Sequence, residues 1–192
     1  MNALKKLFLF WKNPTENHHS LSKREIILLF SVFFPISFAM NFVQNYFSYT
    51  YLYKEHFEWK YALVPTGISW ASVQLILVYF LLGIIEEFAF RWWLKKKWLG
   101  KYLKLFTWIS FIAFFTAHAQ PWHLEVQYWV YIPLKTLAPL LGGLLLTFIR
   151  MQSSIKHAII VHCLHTLIGI LLAIGLGLLF IDEAMTDIKI NI

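Results

Sequence analysis

The chain has 192 residues, of which 59% are hydrophobic and 14% charged, with 18 Phe, 9 Trp and 9 Tyr. So few charges cannot cover a water-soluble surface, and the composition is that of a polytopic helical membrane protein. The formal net charge of +7 does not indicate nucleic acid, because the basic residues fall in short clusters beside apolar runs, where they report topology and attract anionic lipid.

Residues 1–24 read as a cytoplasmic amphipathic and linker region. Lys5 and Lys6 precede only about five apolar residues, Leu7 to Trp11, too short for a signal-peptide core. An interfacial anchor fits instead, with the lysines in the headgroups and Leu7, Phe8 and Phe10 dipping inward. A transmembrane core is expected over 25–181. Its first span covers about Glu25 to Asn45, apolar apart from Ser31, Ser37, Asn41 and Gln44. An aromatic interfacial loop follows at 47–61. The second span, about Ser69 to Trp93, is followed by Lys95, Lys96, Lys97, Lys101 and Lys104.

The third span is short, about Leu105 to Ala119, and an aromatic connector occupies 122–131. The fourth covers about Pro133 to Arg150, with Pro133 expected at the first helical position and Gly142-Gly143 allowing close helix packing. Lys135 is expected to snorkel to the outer interface. The fifth runs from about Ser154 to Phe180, capped by Ser153 or Ser154, with Gly169, Gly175 and Gly177 for packing. It carries the single cysteine, Cys163, which excludes an intrachain disulfide framework. Residues 182–192 read as a polar, weakly acidic tail, and His18, His19, His56 and His123 as loop residues. Lys and Arg cluster before span one, between two and three, and between four and five, which puts the N-terminus inside and the C-terminus outside. The fold class is therefore all-α, a polytopic transmembrane bundle of about five spans.

One stretch stands apart from the apolar background: Glu86-Glu87-Phe88-Ala89-Phe90-Arg91 near the end of span two. Ionisable residues at membrane depth are functional candidates, because each costs several kcal/mol to insert. On a helix Glu87 and Arg91 are four apart and can pair, whereas Glu86 points about 100° away and lacks a local partner. An unpaired, desolvated carboxylate suits a general base. The competing reading is that both glutamates are interfacial charges.

Two further helices offer histidines. Span three ends Phe114-Phe115-Thr116-Ala117-His118, and span five carries His157, His162, His165 and Thr166. Residue counting puts Glu86 and His162 at similar depth, but His118 deeper, about 20 Å beyond Lys104. A carboxylate with one histidine can activate water, and a second histidine with a hydroxyl can donate to an oxyanion. Glutamate with two or three histidines also matches a zinc shell, although no His-Glu-x-x-His helix is present.

These residues resemble the motifs of the CAAX-protease and bacteriocin-processing (CPBP, or Abi) family of intramembrane endopeptidases, which includes the type II CAAX prenyl protease. Glu86-Glu87 with Arg91 matches its E-E-x-x-x-R motif, Phe114 with His118 its F-x-x-x-H motif, and Ser154 eight residues before His162 its third. The resemblance covers about Gly83 to Thr166 and implies a catalytic core on spans two, three and five. It implies that Glu86 and His118 activate the attacking water and that His162 binds the oxyanion. Glu87 would assist or pair, and Arg91 would hold the carboxylates. Thr166 stands where the family usually has Asn or Asp, so its donor role departs from the pattern, with His165 as the neighbouring substitute.

The function implied is an intramembrane endopeptidase that hydrolyses membrane-associated peptides or proteins with Glu/His-activated water. The alternative, raised by Thr166, is a catalytically degenerate peptide-binding or bacteriocin-immunity protein. The expected partners are the bilayer and a peptide or protein substrate, with no nucleic acid, in a bacterial inner or plasma membrane. Water activation needs no cofactor, and a divalent metal such as zinc stays open.

Overall fold

The computed structural model describes residues 2–14, 20–47, 70–119 and 131–190. The expected aromatic loop after Phe47, most of the connector at 122–131, and His18, His19, His56 and His123 lie outside them. So do the side chain of Lys135 and the packing expected of Gly175 and Gly177. The described residues form six α-helices and no strand: α1 (Ala3–Lys12), α2 (Lys23–Phe47), α3 (Trp70–Arg91), α4 (Leu103–Ala119), α5 (Tyr131–Gln152) and α6 (Ile155–Ile190).

The helix boundaries follow local chemistry. Ser22 and Glu25 make a reciprocal cap on α2: Ser22 N–H donates to Glu25 Oε2 (2.9 Å) and Glu25 N–H to Ser22 Oγ (3.3 Å). Ser154 caps α6, its hydroxyl accepting from His157 N–H at 3.2 Å. α5 begins at Tyr131, so Pro133 is its third residue and not its first. The position is still free of strain, because first-turn N–H groups have no intrahelical partner. α6 continues to Ile190, through the residues read as a polar tail.

α1 is held by protein and not only by an interface. Its Phe10 is fully buried, with ring centroids 5.1 Å from Trp11 and 5.2 Å from Phe148. Trp11 in turn meets Trp108 at 4.8 Å and Phe111 at 5.3 Å. Phe8 alone of the expected dipping aromatics is turned outward. Lys6 does not face headgroups either; its Nζ lies 2.7 Å from Glu25 Oε1 and donates to Ser20 O at 3.2 Å. Aromatic side chains from the middle of α4 and the last turns of α5 offer Phe10 and Trp11 a close-packed surface, which a fluid interface does not.

α5 is the central helix, packed on α2, α4 and α6, while α3 lies along α6. α3 has its polarity inverted relative to a water-soluble helix: Ile85 is 60% exposed and Leu81 58%, while Glu87 and Arg91 are 0% exposed. Charges inside and aliphatic side chains outside suit a hydrocarbon surrounding and not water. Among the described residues, 155–172 on α6 is long and apolar enough to cross a membrane.

The link from α3 to α4 decides the depth of α4. Leu94 and Leu99 are buried in it, and Gly100 takes φ of +40°, a conformation that glycine adopts at little cost. Ser110 Oγ donates to Phe90 O at 2.6 Å, which sets the middle of α4 level with the end of α3. The first two turns of α4 therefore extend past Arg91, and His118 is carried down to the level of Glu86. The depth mismatch obtained by counting residues from the lysine cluster disappears for this reason.

Candidate active site

The buried end of the site is the Glu87–Arg91 pair, spaced one turn apart on α3 and both fully enclosed. Arg91 Nη1 donates to Glu87 Oε1, and Arg91 Nε donates to Thr147 Oγ1 of α5 at 3.2 Å. The guanidinium also lies 4.1 Å from the centroid of the Phe114 ring, a cation–π contact away from water. Glu87 Oε2 and Arg91 Nη2 are buried without a hydrogen-bond partner among the described residues.

Phe114 is the common floor of the site. Its ring stacks on His118 at 4.0 Å between centroids, meets His162 edge-on at 6.0 Å and Phe90 at 5.6 Å. Behind it is Gly143 of α5, where an added Cβ would lie 3.1 Å from both Phe114 and Phe111. Of the two adjacent glycines only Gly143 makes a close approach; a Cβ on Gly142 would meet nothing within 4 Å. Gly143→Ala is expected to overpack this contact and destabilise the protein by about 1–3 kcal/mol, read as a lower thermal midpoint, while Gly142→Ala, with open space at its Cβ, raises the midpoint slightly through helix propensity.

The open end is Glu86. Its Oε2 lies 3.3 Å from His118 Nε2 and 3.5 Å from His162 Nε2. Side-chain exposure grades from 0% at Glu87 through 11% at His162 to 27% at Glu86 and 32% at His118, so one side of Glu86 is accessible.

Hydrogen-bond partners assign the ring nitrogens. His118 Nδ1 is 2.9 Å from Phe114 O, and a carbonyl only accepts, so Nδ1 carries the hydrogen. His162 Nδ1 is 2.9 Å from Glu87 Oε1, the carboxylate oxygen that also accepts from Arg91, so this Nδ1 donates as well. In the neutral rings both Nε2 atoms are then lone pairs, and both face Glu86 Oε2. Three acceptors cannot face one another without hydrogen between them. A proton held among the three groups, or a water donating into them, satisfies the arrangement.

Thr166 takes no part in these contacts, although it lies one turn beyond His162 and is half-buried. His165 turns away altogether: its Nε2 is 3.0 Å from Ser37 Oγ on α2, with Phe34 edge-on at 5.4 Å. His165, expected as the neighbouring substitute for the Thr166 donor, therefore does not join the site. At three residues along a helix it is rotated about 60° from His162, enough to meet a different neighbour. His157 is likewise engaged elsewhere, 2.6 Å from Ser153 Oγ. Glu86 Oε2 and two imidazole nitrogens are donor types that a divalent cation takes. The described residues nevertheless contain no group of three or more His, Cys, Asp or Glu arranged to hold one.

Two supporting residues were not legible as such. Thr147 looks like a stray hydroxyl in an apolar helix, and Arg150 like a topology marker. The available signal is that a polar group buried at membrane depth must find a partner, which points to Thr147 and to Ser37 and Ser110 as well.

A carboxylate and two histidines poised around one oxygen, in a helical bundle with an aliphatic exterior, form an acid–base site able to exchange protons with water. Residues 68–168, just over half of the chain, match the type II CAAX prenyl endopeptidase Rce1-like family, and the chain belongs to that family. The match spans α3, α4, α5 and the start of α6, the elements that supply the site. Family members are integral membrane proteins and proteases, so a peptide or protein is the substrate class at family level. No curated protein and no solved structure matches the chain.

Proposed function

We propose that the protein is an intramembrane endopeptidase in which Glu86 and His118 activate a water against a peptide carbonyl. The observation that carries the reading is the convergence of His118 Nε2 and His162 Nε2 on the accessible Glu86 Oε2. A water in that space donates one hydrogen to Glu86 or His118 and turns its oxygen toward the substrate. As the C–O bond forms, its proton passes to the Glu86–His118 pair. The carbonyl oxygen becomes an oxyanion, stabilised by Nε2–H of His162, which carries the proton shared among the three groups before water attacks and whose positive charge is balanced by Glu87. The proton held on Glu86 and His118 then moves to the departing amine as the C–N bond breaks. Arg91 holds Glu87 in place, and Thr166 is the remaining hydroxyl donor one turn from His162.

The same proposal gives residues 25–181 as the membrane core of five spans, 1–24 as the cytoplasmic lead-in with α1 docked on it, and 182–192 as the terminal segment outside. The site opens toward the cytoplasm, and no metal is required. The test is cleavage of a membrane-peptide panel by purified protein in nanodiscs, comparing wild type with Glu86→Ala, His118→Ala and His162→Ala at matched thermal midpoints. Loss of cleavage in all three, with wild-type activity surviving a strong chelator, is the expected result. Equal cleavage by all four proteins overturns it.

A further inference from the structure

Among the described residues, an extensive polar contact outside the site joins the C-terminal ends of α3 and α5. Arg150, in the last turn of α5, donates from Nε to Arg91 O at 3.0 Å and from Nη2 to Trp92 O at 3.1 Å and Leu94 O at 2.6 Å. These carbonyls end α3, where its dipole is negative and where, of the three, Arg91 O also accepts from Leu94 N–H at 3.2 Å. The contact is returned: Lys95, just past α3, donates from Nζ to Ser153 O at 3.1 Å. Ser153 is where α5 gives way to α6. Each helix end is thus held by a cation from the other side.

The location gives this clamp its consequence. Arg91, whose carbonyl Arg150 holds, is the residue whose guanidinium holds Glu87. One turn before Arg150 on α5, Thr147 holds Arg91 Nε. The α5–α6 junction fixed by Lys95 starts the helix that carries His162 seven residues after Ile155. Glu87 and His162 come from separate helices and must meet at 2.9 Å, so the relative register of α3 and α6 decides whether the site exists. A one-residue slip is about 1.5 Å along the axis, more than that contact tolerates.

We infer that Arg150 is a positioning residue that, with Lys95, clamps the ends of α3 and α5 and so keeps Glu86 and Glu87 in register with His162. Arginine suits the role because its planar fork reaches several carbonyls at once; a lysine offers one donor centre. The inference rests on the endopeptidase reading only in its kinetic arm.

The chain supplies its own reporter of register. Its single cysteine, Cys163, sits buried between α3 and α6, its thiol donating to Phe80 O at 3.7 Å, and a Cβ on Gly83 would lie 3.5 Å from its Sγ. The experiment measures N-ethylmaleimide labelling of Cys163 in full-length protein in nanodiscs, for wild type, Arg150→Lys, Arg150→Gln and Lys95→Gln, beside kcat, KM and thermal midpoint. Arg150→Gln is expected to label about tenfold faster through local opening and to lose about tenfold in kcat with KM little changed. Arg150→Lys and Lys95→Gln give smaller changes in the same direction. A residue that only stabilises the fold would lower the midpoint and leave labelling and kcat of the folded protein at wild-type values, and that result overturns the inference. If wild type cleaves nothing, labelling alone decides, and the failure belongs to the endopeptidase reading. If Arg150→Gln does not fold, unchanged labelling in both Arg150→Lys and Lys95→Gln overturns the inference equally.

Discussion

Glu86→Gln is expected to lower kcat by about 10²–10⁴-fold, the range in which a positioned general base contributes, without a comparable change in thermal midpoint. The amide keeps the volume of the side chain and can still hydrogen-bond, but it has no basic oxygen to receive the proton of water. The midpoint should hold because Glu86 is the accessible carboxylate: its side chain is 27% exposed and its neighbours are the two histidine Nε2 atoms, not a buried counter-ion. The contrast with Glu87 is what makes the test informative. Glu87 is fully enclosed and bound to Arg91 and His162, so Glu87→Gln should impair stability and activity together. Single-turnover cleavage with matched folded fractions measures the difference. Wild-type turnover in Glu86→Gln removes this residue from the chemistry.

Arg91→Met is expected to destabilise the protein by about 3–5 kcal/mol, because it leaves a buried carboxylate without its partner. The substitution removes the donors to Glu87 Oε1 and Thr147 Oγ1 and the cation over Phe114, and adds no polar group in their place. In the Arg91→Met and Glu87→Gln double variant the uncompensated charge is gone, so the loss should be less than the sum of the two single losses. Midpoints of denaturant unfolding for the four proteins of that cycle measure the coupling. Additive losses would mean that the two side chains act independently, against the geometry that joins them.

The exposure gradient across the site gives these two predictions a common logic. At the closed end a carboxylate is paired with an arginine that is itself held by threonine, and it accepts from an imidazole. At the open end a second carboxylate one residue away faces the Nε2 atoms of His118 and His162 and is 27% exposed. A helix places adjacent residues about 100° apart. That rotation is enough to put one glutamate in the wall and the other at the opening.

Much of this was legible in the sequence because membrane helices obey simple rules. Apolar runs, lysine clusters and caps located α2 to α6 to within a few residues at most of the ends described, since a helix satisfies its backbone hydrogen bonds within one continuous segment. The pairing of Glu87 with Arg91 followed from helical spacing, and the motif residues Glu86, His118 and His162 followed from an ordered resemblance. Failures came where partners lie far apart in sequence. Phe10 read as an interfacial side chain because nothing local announces Phe148 and the aromatic middle of α4. His165 read as a companion of His162 because Ser37 is 128 residues away. Arg150 read as a topology charge because its three acceptors are backbone carbonyls, which carry no sequence signature.

The sequence by itself therefore determined the all-helical class, the inventory of ionisable groups within the apolar runs, and the one-turn pairing of Glu87 with Arg91. Those depend on composition and on periodicity along one chain segment. Only the tertiary structure decided that His118 descends to Glu86, that His162 bridges both carboxylates while Thr166 and His165 do not join them, and that Arg150 and Lys95 tie the helix ends together. Each of these depends on the register between helices, which is set by connector geometry and side-chain packing between distant segments and is not encoded in the period of any one of them.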